Sequence, residues 1–175
     1  MPLVTLSLGS NIDRDHHLHV ALTALADEFA PLTLSQVYET KPVGLTADPF
    51  YNLVVAFNTA RLVGEVQQTC KQIEQHYARR PTRPPQGYTR ALDLDLLTYG
   101  DLCGVHEGIL LPRAEVLKHD FVLRPLAELF PHQRMPGRQE SYAELWQTHA
   151  HPDQWMTPVN FHWPQSAETE ALSHR

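Results

Sequence analysis

The order in which helix-like and strand-like patterns alternate is the feature that most constrains how this chain can fold. In the helix-like segments, apolar residues recur at steps of three and four, which is the spacing of one helix face. In the strand-like segments, apolar and β-branched residues are concentrated between turn signals. The strand-like segments are 3–9, 32–40, 50–60 and 90–97, and the helix-like segments are 18–29 and 63–77. This βαββαβ order predicts a ferredoxin-like α+β fold, in which an antiparallel sheet carries both helices on one face.

The rest of the chain predicts additions to one domain. Residues 121–131 and 141–150 resemble short helices that follow the sheet. A length of 175 residues is typical of a single domain, which we expect to occupy residues 1–150. Residues 151–175 contain no periodic apolar pattern, and we expect them to form a C-terminal tail that is partly disordered.

Two aspartates interrupt the last strand-like segment, which reads RALDLDLL from Arg90 to Leu97. Because side chains alternate between the faces of a strand, Asp93 and Asp95 point to one face while the leucines point to the core. Their Cα atoms are about 7 Å apart at about 3.3 Å per residue. Carboxylates at this separation repel unless water or a cation screens them. The stretch is therefore either a solvated acidic face or a divalent-metal site with Arg90 beside it.

The charge distribution points away from a general polyanion-binding protein. The net charge is −6, and no apolar run of 18 residues occurs, so we expect neither nucleic-acid nor membrane binding. The absence of a charged region followed by a long apolar run near residue 1 predicts a cytoplasmic protein. Arg79, Arg80, Arg83 and Arg90 nevertheless lie within twelve residues that contain no acid. This basic loop is either a solubilising segment or, beside the aspartates, a binding site for a metal-bound polyphosphate.

Several motifs now line up in one order. They are SLGSN at 7–11, YETKPVG at 38–44, RALDLDLL at 90–97 and LPRAEVLKHDFVLRPLAEL at 111–129. As a set they closely resemble the 6-hydroxymethyl-7,8-dihydropterin pyrophosphokinase family, over about residues 3–131. The resemblance implies that a pyrophosphoryl group is transferred from ATP to the pterin hydroxymethyl group in folate biosynthesis, with release of AMP. It also implies a magnesium-dependent enzyme, expected to be a monomer, that binds ATP and this pterin.

The resemblance assigns roles to particular residues. It implies that Asp93 and Asp95 hold two magnesium ions along the ATP phosphates, which suits a cation that takes one or two carboxylates together with phosphates. The implied catalytic residues are Arg79, Arg90, Asp93 and Asp95. The implied ATP-binding residues are Glu74, Arg79, Arg83, Arg90, Arg113 and His119. The implied pterin-binding residues are Thr40, Val43, Phe50, Asn52 and Phe121, with the two phenylalanines on either side of the ring or, alternatively, in the core.

The chain departs from the family pattern where ATP is expected to bind. Arg113 stands where the family usually has histidine, and His119 stands where it has arginine. Residues 86–90 read QGYTR and lack the family's tryptophan. Two interpretations of the chain therefore remain open. It is an active enzyme, or it is a divergent paralogue that uses another pterin or binds one without efficient turnover. A third, a non-enzymatic module such as an RNA binder, is disfavoured by the acidic balance.

Overall fold

The computed structural model describes residues 1–42 and 44–164. The predicted βαββαβ order and the α+β class are confirmed. The strands are β1 (Leu3–Ser10), β2 (Thr33–Leu34), β3 (Val37–Thr40), β4 (Phe50–Asn58), β5 (Asp93–Tyr99), β6 (Gly104–His106), β7 (Ile109–Leu111) and β8 (Met156–Val159). The helices are α1 (Arg14–Phe29), α2 (Val63–Tyr77), α3 (Glu115–Lys118), α4 (Asp120–Leu129) and α5 (Tyr142–His149). No helix within the described ranges is long and apolar enough to cross a membrane.

The main sheet is antiparallel, with strand order β5-β1-β4-β3-β8, and β2 also pairs with β4. The predicted strand 32–40 is divided into β2 and β3 because Ser35 interrupts the ladder. The backbone N–H of Ser35 donates to Val54 O, and the Ser35 hydroxyl oxygen accepts from Val54 N–H, both at 2.9 Å. A side chain thus replaces a backbone acceptor at this point, so the Val54 N–H stays paired where the register with β4 shifts by one residue.

Helices α1 and α2 cover one face of the sheet, as predicted from their apolar stripes. Their buried residues join those of β1, β4 and β5 in one core, which includes Leu8, Leu22, Leu53, Cys70 and Leu94. Leu92 and Leu96 are also buried in this core, so the leucines of the aspartate strand point inward as the alternation requires.

Helices α3, α4 and α5 form a second layer on the opposite face. They bury Val54 of β4 and Leu97 of β5 in a separate apolar cluster. Leu97 points to the same face of β5 as Asp93 and Asp95. The second helical layer therefore covers this face at Leu97 and leaves it open at Asp93. The added C-terminal helices therefore create a cavity where their layer stops.

The segment after residue 150 contributes to the sheet. Strand β8 pairs with β3, and further along the chain Trp163 donates from Nε1 to the Thr23 hydroxyl on α1 at 3.2 Å. Phe161 contacts the His19 ring, with centroids 4.8 Å apart. Residues 165–175 of the expected tail lie outside the described residues, and its partial disorder stays a prediction.

Candidate active site

The site is built on one face of the sheet, at the end where the second helical layer stops. Gly9 of β1 lies opposite Asp93 on one side and opposite Asn52 on the other, and Ser7 lies opposite Asp95. Residues paired directly across a ladder share a face, so these five residues form one surface, which we call the floor. The floor places the carboxylates of β5 beside the polar residues of β4.

Gly9 keeps this floor open. A Cβ atom on Gly9 would lie 2.6 Å from Asn52 Oδ1, closer than real Cβ contacts come. Because the glycine has no side chain, the Asn52 amide occupies the space that a Cβ atom would take. Gly9 was not among the predicted site residues, although it belongs to the SLGSN motif at 7–11.

A cavity of about 650 Å³ lies over the floor. Most of the predicted site residues line it: Thr40, Phe50, Asn52, Arg90, Asp93, Asp95, Arg113, His119 and Phe121. Residues from α3 and α4 form its roof, and the loops that carry Pro42 and Tyr88 form its sides. This volume falls in the range of small-molecule sites.

At one end of the cavity, two arginines compensate the two aspartates. Arg90 donates to Asp93 Oδ1 at 2.8 Å, and Arg113 lies 3.5 Å from Asp95 Oδ1 while also pairing with Glu115 at 3.1 Å. Burial and the nearby Asp93 carboxylate raise the pKa of Asp95 to about 6, although Arg113 opposes the shift. A carboxylate that is partly buried and repelled by its neighbour favours a cation, so this end fits a divalent metal.

Two carboxylates are the acidic groups that this end of the cavity offers to a cation. Among the described residues, no group of three or more histidine, cysteine, aspartate or glutamate side chains could hold a metal ion. A two-carboxylate site matches Mg²⁺, which retains waters and is completed by substrate phosphates. It does not match a structural zinc site, which needs four protein ligands.

The cavity also contains aromatic faces and a short polar pair. Asn52 donates from Nδ2 to the Thr40 hydroxyl at 2.7 Å. The rings of His119 and Phe121 are stacked, with centroids 4.9 Å apart and an angle of 13° between their planes. Burial lowers the pKa of His119, so the neutral ring is favoured in the free protein. Flat aromatic surfaces beside an amide and a hydroxyl suit a planar heterocycle.

Three predicted ATP-binding residues are not among the residues that line this cavity. Glu74 accepts the backbone N–H of Leu94 at 2.7 Å and pairs with Lys71, so its carboxylate joins α2 to β5. Arg79 pairs with Asp13 at 3.2 Å, and Arg83 lies on the exposed loop beyond it. Their predicted contacts with ATP stay predictions.

Val43, predicted to contact the pterin, lies outside the described residues.

Asn11 joins the two loops beside the cavity, a role that the sequence analysis did not assign. Its side-chain amide donates to Asp48 O at 3.2 Å and to Tyr88 O at 2.8 Å, and its Oδ1 accepts from Arg90 N–H at 2.7 Å. Tyr88 in turn donates its N–H to Thr46 O at 2.9 Å. The Asn11 side chain therefore positions the backbone of Arg90 shortly before β5, the strand of the acid pair.

Comparison with known proteins identifies the family. Residues 5–131 match the model of 7,8-dihydro-6-hydroxymethylpterin-pyrophosphokinase (HPPK). The chain belongs to the HPPK family. It is 35% identical over 129 residues to the 2-amino-4-hydroxy-6-hydroxymethyldihydropteridine pyrophosphokinase of Bacillus subtilis, which covers 71% of this chain and 75% of that protein. The enzyme of the same description from Haemophilus influenzae is 30% identical over 138 residues, covering 77% of this chain and 85% of that one.

The fold of the HPPK family is also found in solved structures. An HPPK-DHPS crystal structure in complex with substrates aligns with a TM-score of 0.66 at 13% identity, over 84% of this chain. This chain spans only 43% of that longer protein, and the likeness concerns the fold. The family match ends at residue 131, so α5, β8 and the segment between them lie beyond it.

Proposed function

We propose that this chain transfers a pyrophosphoryl group from ATP to 6-hydroxymethyl-7,8-dihydropterin in a magnesium-dependent reaction. The observation that carries the proposal is the continuous floor, on which a carboxylate pair with two arginines lies beside a polar and aromatic subsite in one cavity. Membership of a pyrophosphokinase family supports the reaction type.

Asp93 and Asp95 would hold magnesium, which supplies positive charge to the ATP phosphates where negative charge develops. A cation held by these carboxylates would replace Arg90 and Arg113 as their counter-charge. Each guanidinium can then donate to phosphate oxygens, for which its forked geometry is suited. The same arginines thus compensate the acid pair in the free protein and bind phosphate in the complex.

The reaction requires the pterin hydroxymethyl group to face the carboxylate end of the floor. The hydroxymethyl oxygen forms a bond to the β-phosphorus of ATP while the bond from that phosphorus to the bridging oxygen of the α-phosphate breaks. AMP leaves, the hydroxyl proton is released, and the pterin carries the pyrophosphate. The chain contributes by position: the subsite around Asn52 and Thr40 holds the ring, and the acid pair with its arginines orients the phosphates.

The test is a coupled assay of AMP release with ATP, Mg²⁺ and the reduced pterin. Asp93→Ala and Asp95→Ala should each nearly abolish turnover. Asp101→Ala is the matched control, because Asp101 follows the same strand but is exposed outside the cavity. Turnover of either floor variant at the rate of the Asp101 control would refute the assignment of the acid pair.

The exchange of Arg113 and His119 relative to the family pattern favours a second candidate, a divergent paralogue. Both residues line the cavity, and Arg113 already pairs with Asp95 and Glu115. Tight pterin binding without AMP release by the unmodified chain would select this candidate over the active enzyme.

A further inference from the structure

Residues beyond the HPPK match close the cavity at the end away from the acid pair. Gln154, Trp155 and Met156 line it there. Met156 lies opposite Thr40 in the ladder between β8 and β3, so its side chain shares the face of the floor. At about 4.8 Å per strand, β3 lies about 14 Å and β8 about 19 Å from the strand of the acid pair. Strand β8 is therefore the outer wall of the cavity.

This wall is attached to Asp120, the first residue of α4, which lies in the chain between His119 and Phe121. Asp120 is 3% exposed, and its carboxylate accepts the backbone N–H of His151 at 2.9 Å, with His151 Nδ1 also at 2.9 Å. Asp120 N–H donates to Gln154 Oε1, and Gln154 Nε2 donates to Lys118 O, both at 2.8 Å. The residue between His119 and Phe121 in the chain thus holds the outer wall in place.

The wall offers apolar contact to a ligand. Both ends of the Gln154 amide are already used by the backbone of residues 118 and 120. Trp155 is 47% exposed, and its ring lies 5.8 Å from Lys41 Nζ, next to Thr40 in the chain. A large aromatic side chain that faces a cavity while half exposed has surface left to bury against a ligand.

We propose that Trp155 and Met156 form the outer wall of the pterin subsite and set the affinity for the pterin, with Asp120 as the positioning residue. The inference rests on the proposed function, which orients the hydroxymethyl group toward the acid pair. The opposite end of the bicyclic ring then points along the floor toward β3 and β8. The HPPK match contains neither wall residue, so this chain supplies that contact from its own C-terminal segment.

Calorimetry with 6-hydroxymethyl-7,8-dihydropterin, in the presence of a non-hydrolysable ATP analogue and Mg²⁺, tests the proposal. Trp155→Ala should weaken pterin binding roughly 3- to 10-fold, the loss expected for one aromatic contact, and Trp155→Phe should restore most of it. Affinity for the ATP analogue should stay within about twofold. Trp163→Ala is the matched control, because Trp163 contacts α1 on the other side of the sheet.

A second variant tests the attachment. Asp120→Asn keeps the side-chain shape but removes the charge that faces His151, so hydrogen exchange at the amides of Met156, Thr157 and Val159 should become faster and pterin binding should weaken. If Asp120→Asn does not fold, the Trp155 variants decide alone. Equal pterin affinity of Trp155→Ala and Trp163→Ala would overturn the inference and leave the proposed function intact. An unmodified chain that binds no pterin would overturn both.

Discussion

Replacing Asp95 by asparagine should stabilise the metal-free protein while removing activity. Burial and the Asp93 carboxylate raise the pKa of Asp95 from 3.8 to about 6 in the folded state, so its ionised form is disfavoured there. A shift of about two units corresponds to at most about 3 kcal/mol at neutral pH. The side chain is 20% exposed, so solvent screening reduces this value, and we expect a gain of about 1–3 kcal/mol in the free energy of unfolding.

The pH dependence identifies the cause. Between about pH 4 and pH 6 the folded state retains the Asp95 proton and the unfolded state loses it, so the stability of the unmodified chain falls as pH rises through this window. The variant has no such titration. Its advantage should be absent below about pH 4, grow up to about pH 6 and then stay constant.

Urea unfolding in EDTA at pH values from 4 to 8 measures this difference, with Asp101→Asn as the exposed control. Addition of Mg²⁺ and an ATP analogue should stabilise the unmodified chain more than Asp95→Asn, because only the former has both floor carboxylates. Equal stability of Asp95→Asn and the unmodified chain at pH 7 would refute this explanation. A stability difference between them that is as large at pH 4 as at pH 7 would also refute it.

Three further changes probe the floor, the loops and the exchanged residues. Gly9→Ala places a methyl group 2.6 Å from Asn52 Oδ1, and we expect at least tenfold weaker pterin binding by calorimetry, with the fold retained in circular dichroism. Gly87 has a positive φ of 67°, and the Cβ of Gly87→Ala would lie 1.9 Å from Thr46 O. The loops that carry Thr46 and Gly87 should therefore separate, and KM for ATP should rise in the AMP assay. Affinity for an ATP analogue should fall as pH rises through the titration of His119, because the protonated ring is the form that binds phosphate and burial lowers its pKa in the free protein. His119→Arg should flatten this dependence, and identical pH profiles would show that His119 does not contact the phosphates.

The features that could be predicted from the sequence are those that depend on local periodicity. Steps of three and four placed α1 and α2, and alternation placed Leu94 in the core and the acid pair on the opposite face. The motif set identified the family, which the comparisons confirm. These features are encoded within one helix face or one strand, where neighbours in the chain are neighbours in space.

Contacts between distant segments set which residues meet across the sheet and which residues close the cavity. Glu74, whose predicted contact with ATP stays a prediction, accepts the backbone N–H of Leu94 in β5, 20 residues further along the chain. Asn11 links loops that lie 37 and 77 residues away from it, and β8 pairs with β3 although residues 151–175 carry no periodic pattern. Such contacts depend on strand register and on which helices cover which face. Because both arise from pairing between distant segments, no local window of the sequence contains them.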